Sequence, residues 1–94
     1  MTDTNYYLHH QDFAESVHIG KISALSGGGR RWITDTQCDK WNGTSVLMAY
    51  LEEADQDDSP GWVSDEYGNV LTFSAMAGKI YQCDATAEVL GPFD

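Results

Sequence analysis

The segment Ser26-Gly27-Gly28-Gly29 sets the tightest limit on what this chain can build. Inside a helix or strand each glycine costs roughly 0.5–1 kcal/mol against alanine, so three in a row mark a break. Before the break, Val17 to Leu25 carries β-branched residues at Val17, Ile19 and Ile22; after it, Arg30 to Thr36 resumes around Trp32 and Ile33. Two extended runs joined by glycines predict a hairpin with a loose loop and an irregularity near Lys21. An isolated hairpin is marginal in water, so further strands must cover it.

The remaining sequence supplies them. Tyr6-Tyr7-Leu8 opens a first short strand, and Gln11 to Ser16 is polar and reads as a turn or one helical turn. Ser59-Pro60-Gly61 is a turn into Trp62-Val63, and Asp65 to Asn69 is a hairpin loop into a strand over Val70 to Ser74. Ala75-Met76-Ala77-Gly78 then turns the chain into Lys79 to Asp84, giving an antiparallel meander. Glu88 to Asp94, with Gly91-Pro92-Phe93, reads as an irregular tail.

Thr44 to Ala54 has two readings. Leu47, Tyr50, Leu51 and Ala54 fall at helical spacing among good helix formers, with Thr44 or Ser45 as N-cap. A strand would instead alternate Val46, Met48 and Tyr50 against Leu47, Ala49 and Leu51. The helix is preferred, although acidic residues crowd the end where the helix dipole disfavours them. The expected fold is α+β: a single domain over 1–94 with an antiparallel sheet of about five strands and at most one helix. A strand at 44–54 would make it all-β. A sheet edge bearing Tyr6, Tyr7 and Leu8 offers a seam for a homodimer.

At 94 residues the chain is too short for a Rossmann or TIM architecture. Its longest apolar run, Val46 to Leu51, falls far below the ~20 residues that span a bilayer. Met1 to Asn5 lacks the basic start and apolar core of a signal peptide, so the expected location is cytoplasmic, without a membrane partner. Cys38 and Cys83 have no CxxC spacing; free thiols suit a reducing cytosol, and a disulfide within or between chains is the alternative. Asn42-Gly43-Thr44 matches a glycosylation sequon and, without export, reads as a turn.

Catalytic and metal chemistry find little support. Of His9, His10, Asp12 and His18, the adjacent pair would point to opposite sheet faces, and no further ligands complete a zinc set, so these read as surface histidines near a terminus. Asp35 and Asp39 beside Cys38 oppose a thiolate. Asp55, Asp57, Ser59 and Glu66 follow a calcium-loop spacing, but Pro60 stands where that loop needs glycine. Gly27 to Arg31 lacks the Lys-Ser/Thr ending of a P-loop and leaves two solvated arginines at a hairpin tip. Glu52 and Glu53, as sequence neighbours, cannot flank a glycosidic bond. The expectation is a non-enzymatic protein without cofactor or metal.

Charge is the informative feature. The chain carries 15 acidic and 5 basic residues, net -10. Residues 41–78 hold seven of the acids and no Lys or Arg: Glu52, Glu53, Asp55, Asp57, Asp58, Asp65 and Glu66. If the two loops bracketing Trp62-Val63 lie at one end of the sheet, these carboxylates share a face. Such a face repels nucleic acid and attracts basic protein surfaces. Trp41, Tyr50, Trp62 and Tyr67 lie close to the acids in sequence and are candidate anchors or core. Trp62 and Tyr67 join the acids as the expected partner-binding set. Solubility alone is the plain alternative.

In size, in acidity and in the run Glu52-Glu53-Ala54-Asp55-Gln56-Asp57-Asp58, the chain resembles the small, acidic, phage-encoded inhibitors of bacterial defence, anti-CRISPR proteins and DNA mimics among them. The resemblance implies stoichiometric binding to a basic nucleic-acid-binding complex, a CRISPR effector, in the host cytoplasm, with occlusion of its DNA groove. The runner-up is an immunity protein or acidic partner that neutralises a basic bacterial nuclease toxin.

Overall fold

The computed structural model describes residues 3–37 and 40–89. In chain order they form β1 (Asp3–His10), β2 (Val17–Ala24), β3 (Arg30–Asp35), α1 (Thr44–Gln56), β4 (Gly61–Asp65), β5 (Val70–Leu71), α2 (Phe73–Tyr81) and β6 (Ala85–Val89). One sheet contains all six strands in the order β5-β4-β1-β2-β3-β6. Every pair is antiparallel except β3 with β6, which is parallel. The α+β class holds, with six strands and two helices.

The glycine break does produce a β2–β3 hairpin. Its irregularity lies against β1: Tyr6 faces Gly20 while Tyr7 faces His18, so Ile19 is an extra residue. This is a β-bulge, and it buries both Ile19 and Gly20. Gly20 has φ 153°, and a Cβ there would collide with the Ile33 carbonyl and stand 2.6 Å from Cζ2 of Trp32. Glycine thus lets the fully buried Trp32 ring lie close to β2. The indole N–H of Trp32 donates to Thr34 Oγ1 at 2.8 Å, and Thr34 shares a 2.8 Å hydroxyl bond with Thr44 at the start of α1.

Helix α1 buries Leu47, Met48, Leu51 and Ala54, a spacing of one, four and seven that only a helix turns to one side. Its N-cap is Gly43, not Thr44 or Ser45, and carries no side-chain cap. The Thr44 N–H instead donates to Glu88 Oε1 on β6 at 3.0 Å. At the other end Asp58 N–H bonds to the Asp55 carbonyl and Ser59 N–H to the Ala54 carbonyl, with Asp58 at φ 54°. That is a Schellman closure with aspartate where glycine is usual.

The second helix corrects the sequence reading, which placed strand and turn over residues 70–84. Phe73, Met76, Ala77 and Ile80 are buried at helical spacing. Thr72 Oγ1 caps the helix by accepting from Ala75 N–H at 3.0 Å. The expected meander shrinks to the β4–β5 hairpin. The chain then crosses behind the sheet and adds β6 beside β3, so Glu88 and Val89 belong to a strand rather than to an irregular tail. Residues 90–94 lie outside the described residues.

The dimer seam also fails where it was placed. Tyr6 and Leu8 are buried on β1, which is paired on both sides by β2 and β4. The sheet edges are β5 and β6. The helices pack together, and their buried residues join Leu8, Ile19, Trp32 and Val63 in one core. Among the described residues the opposite sheet face carries no helix. The Cα radius of gyration is 12.5 Å, against about 12 Å for a single domain of this length. Cys83 is a free, half-buried thiol pushed up by burial; Cys38 lies outside the described residues. Among the described residues no helix is long and apolar enough to cross a membrane.

Candidate functional site

The seven central acids divide into two groups. Burying one side of α1 leaves Glu52, Glu53 and Asp55 exposed, and Asp57 and Asp58 extend the acidic tip through the helix closure. No basic residue stands in the last turn of α1. Among the described residues none of these five acids makes an ion pair. Glu52 accepts a 3.2 Å bond from the Tyr81 hydroxyl, which holds that phenol above its usual value.

Asp65 and Glu66 lie at the far end of β4. Its five residues separate the two loops by roughly 13–16 Å at ~3.3 Å per residue. That exceeds the Debye length of about 8–10 Å near physiological salt, so the loops do not form one acidic face. Both carboxylates are also engaged locally. Asp65 Oδ2 accepts from Asn69 Nδ2 at 2.9 Å, and Oδ1 accepts from the N–H groups of Tyr67 and Asn69 at 2.9 and 3.0 Å. The Asn69 side chain, followed by these backbone donors, holds the Asp65 carboxyl below the usual aspartate value. Glu66 Oε1 accepts from both N–H and Nδ2 of Asn5 at 2.8 and 3.0 Å. The calcium-loop spacing is broken in the same way, since β4 carries Glu66 away from Asp55.

The aromatics sort cleanly. Trp41 is buried, and Tyr50 is half-buried between Trp41 and Phe73 at ring distances of 5.5 and 6.4 Å. Those two are core. Trp62 is 47% exposed and Tyr67 68% exposed. Tyr67 travels with Asp65 and Glu66. Trp62 stands at the start of β4 beside the α1 tip, where Asp55, Asp58 and Trp62 line one hollow of about 290 Å³. On its other side Trp62 lines a larger groove of about 550 Å³ with His9, His10, Phe13, Glu15 and Pro60.

The histidines are not loose surface groups near a terminus. His9 and His18 are half-buried strand residues on the helix-free face. His9 stacks on Trp62 at 5.2 Å and 11°, and its Nε2 lies 2.6 Å from Ser64 Oγ. His18 bridges Asp35 through Nδ1 and Asn5 through Nε2, each at 2.8 Å, with its ring 5.3 Å from Tyr7. These bonds tie β1 through β4 together. Sequence reasoning missed this strip because the pairing of β1 with β4 is not written in either strand alone. Among the described residues no three His, Cys, Asp or Glu side chains group to hold a metal ion.

The arrangement offers an exposed carboxylate array, free of ion pairs among the described residues, at the C-terminal end of α1. No protein-family model, curated protein or solved structure matches this chain.

Proposed function

We propose that this protein is a non-enzymatic inhibitor that acts in the cytoplasm by docking its acidic α1 tip onto the basic groove of a nucleic-acid-binding protein, a CRISPR effector complex of bacterial defence. The reading rests on one observation. Glu52, Glu53, Asp55, Asp57 and Asp58 cluster, exposed and free of ion pairs among the described residues, at the C-terminal end of a helix. Negative charge there costs about 0.3–1 kcal/mol per group at low salt. Asp58 adds a left-handed backbone that glycine would relieve. Solubility could be met by acids at positions that carry no such cost.

Complementary charge would speed encounter with a Lys/Arg groove and compete with DNA for it. The test is a pull-down from bacterial lysate at low and high salt. Recovery of a nucleic-acid-binding complex is expected at low salt, with loss after joint Glu52→Gln, Glu53→Gln, Asp55→Asn, Asp57→Asn and Asp58→Asn substitution. Unchanged recovery by that variant sinks the reading. Recovery of a toxin nuclease in place of an effector would make the protein an immunity partner.

A further inference from the structure

We propose that Asn42 is a site of spontaneous covalent modification in the folded protein, where deamidation converts it to aspartate and isoaspartate. The proposal is independent of the docking reading above. The chemistry is a ring closure. The backbone nitrogen of Gly43 attacks Cγ of the Asn42 side chain, a new N–C bond forms, and the side-chain amide leaves as ammonia with the Gly43 amide proton. Water then opens the succinimide at either carbonyl. One opening gives aspartate, and the other gives isoaspartate, which carries an additional methylene in the main chain. One water enters, one ammonia leaves, and nothing is oxidised or reduced.

Three observations single out Asn42 among the asparagines Asn5, Asn42 and Asn69. Its side chain is exposed and makes no hydrogen bond among the described residues. By contrast, Nδ2 of Asn5 donates to Glu66 at 3.0 Å and Nδ2 of Asn69 to Asp65 at 2.9 Å. The nucleophile is also free, since the Gly43 N–H makes no hydrogen bond among the described residues. Asn42 and Gly43 form a bend just before α1, outside the ladders of helix and sheet, whereas Asn5 lies within β1. Finally, Gly43 presents no Cβ to the closing ring, while Tyr6 and Val70 follow the other two asparagines.

The two products differ in their effect on α1. Trp41 is buried, and Thr44 is tied to Thr34 through its hydroxyl at 2.8 Å and to Glu88 through its N–H at 3.0 Å. The extra methylene of isoaspartate must fit between these fixed points, so it disturbs the start of the helix. Aspartate leaves the main chain unchanged and places a carboxylate near the helix N-terminus, where the dipole favours it.

The experiment ages the native chain at mildly alkaline pH in heavy-oxygen water and locates the label by mass spectrometry of its peptides. Enzymatic isoaspartyl methylation measures the isoaspartate. Asn42 is expected to convert while Asn5 and Asn69 stay intact. Gly43→Ala is expected to slow conversion about tenfold. Gly43 has φ 175°, and a Cβ there stands 3.4 Å from Glu88 Oε1, so the fold accepts that alanine. Aged protein enriched in isoaspartate is expected to unfold at a lower temperature than fresh protein, and Asn42→Asp at the native midpoint. Conversion of Asn5 or Asn69 ahead of Asn42, conversion only in urea, or equal rates in the native and Gly43→Ala proteins overturns the proposal. A native midpoint for the isoaspartate form overturns the effect on α1.

Discussion

Glu66 grips Asn5 twice: one carboxylate oxygen accepts from the Asn5 backbone N–H at 2.8 Å and from its side-chain Nδ2 at 3.0 Å. The Glu66 N–H in turn donates to the Asn5 carbonyl at 3.0 Å. This acid therefore joins the β4–β5 turn to β1. Glu66→Ala is expected to lower stability by about 1–2 kcal/mol, since exposed bonds each contribute roughly 0.5–1.5 kcal/mol. Asp57→Ala, at the exposed α1 tip, is expected to change it by no more than about 0.5 kcal/mol in either direction. Urea unfolding of the two variants measures the difference, and equal effects would contradict the division of the acids into structural and free groups.

At the α1 tip the expected sign reverses. Asp58→Gly relieves the left-handed backbone and removes a negative charge from the helix end, for a gain of about 1 kcal/mol. Asp58→Asn tolerates the same backbone and removes only the charge, for a gain of a few tenths, about 0.3 kcal/mol. The ordering Gly above Asn above Asp in thermal midpoint checks the argument. A fall in stability with glycine would mean that the aspartate makes a favourable contact.

Acid should weaken the fold through two carboxyls. Asp65 is held below the ordinary aspartate value first by the Asn69 side chain, and Asp3 first by the Ser23 hydroxyl, with Lys21 adding its charge. Each binds a proton less readily folded than unfolded, so its stabilisation is present above the ordinary value and is lost as pH falls through the depressed one. Urea midpoints between neutral pH and about pH 2 are expected to fall below about pH 4. Asn69→Ala is expected to flatten part of that fall, because it removes the largest cause acting on Asp65.

Gly20 tolerates no side chain. A Cβ would collide with the Ile33 carbonyl and stand 2.6 Å from Trp32 Cζ2, on a backbone at φ 153°. Gly20→Ala is expected to cost about 2–4 kcal/mol from overpacking and backbone strain together. For a domain of this size each kcal/mol shifts the midpoint by about 4–8 °C, so thermal unfolding reads it directly. Gly28→Ala, with positive φ but open space around it, is expected to cost less, about 1 kcal/mol.

Local signals were legible and non-local ones were not. Val17, Ile19 and Ile22 before the glycines, with Trp32 and Ile33 after them, announce a hairpin because both strands and their turn are contiguous. Leu47, Leu51 and Ala54 likewise announce α1. The signal for α2 was present in Phe73, Met76, Ala77 and Ile80 behind Thr72, but Gly78 read as punctuation and Val70 to Ser74 as an extended run. The parallel pairing of Ala85–Val89 with Arg31–Asp35 has no local signature at all, because it follows from where α2 delivers the chain. The acids were countable, whereas their separation depended on the length of β4. Trp62 was legible as a candidate anchor; its stacking on His9 was not.

The sheet order also dictates how a growing polypeptide must wait. β1, β2 and β3 can pair as soon as they leave the ribosome, since short connections join them. The outer side of β1 is then left for β4, which begins at Gly61, and the outer side of β3 for β6, which begins at Ala85. Each partner follows its strand by about 50 residues, a delay on the order of seconds at ~5–20 residues per second. The nascent three-stranded sheet, complete at Asp35, shows an unsatisfied backbone on both flanks until β4 emerges from Gly61, and on the β3 flank until β6 emerges from Ala85. Slow translation between residues 36 and 85 therefore lengthens its exposure to chaperones and to sister chains on the same polysome.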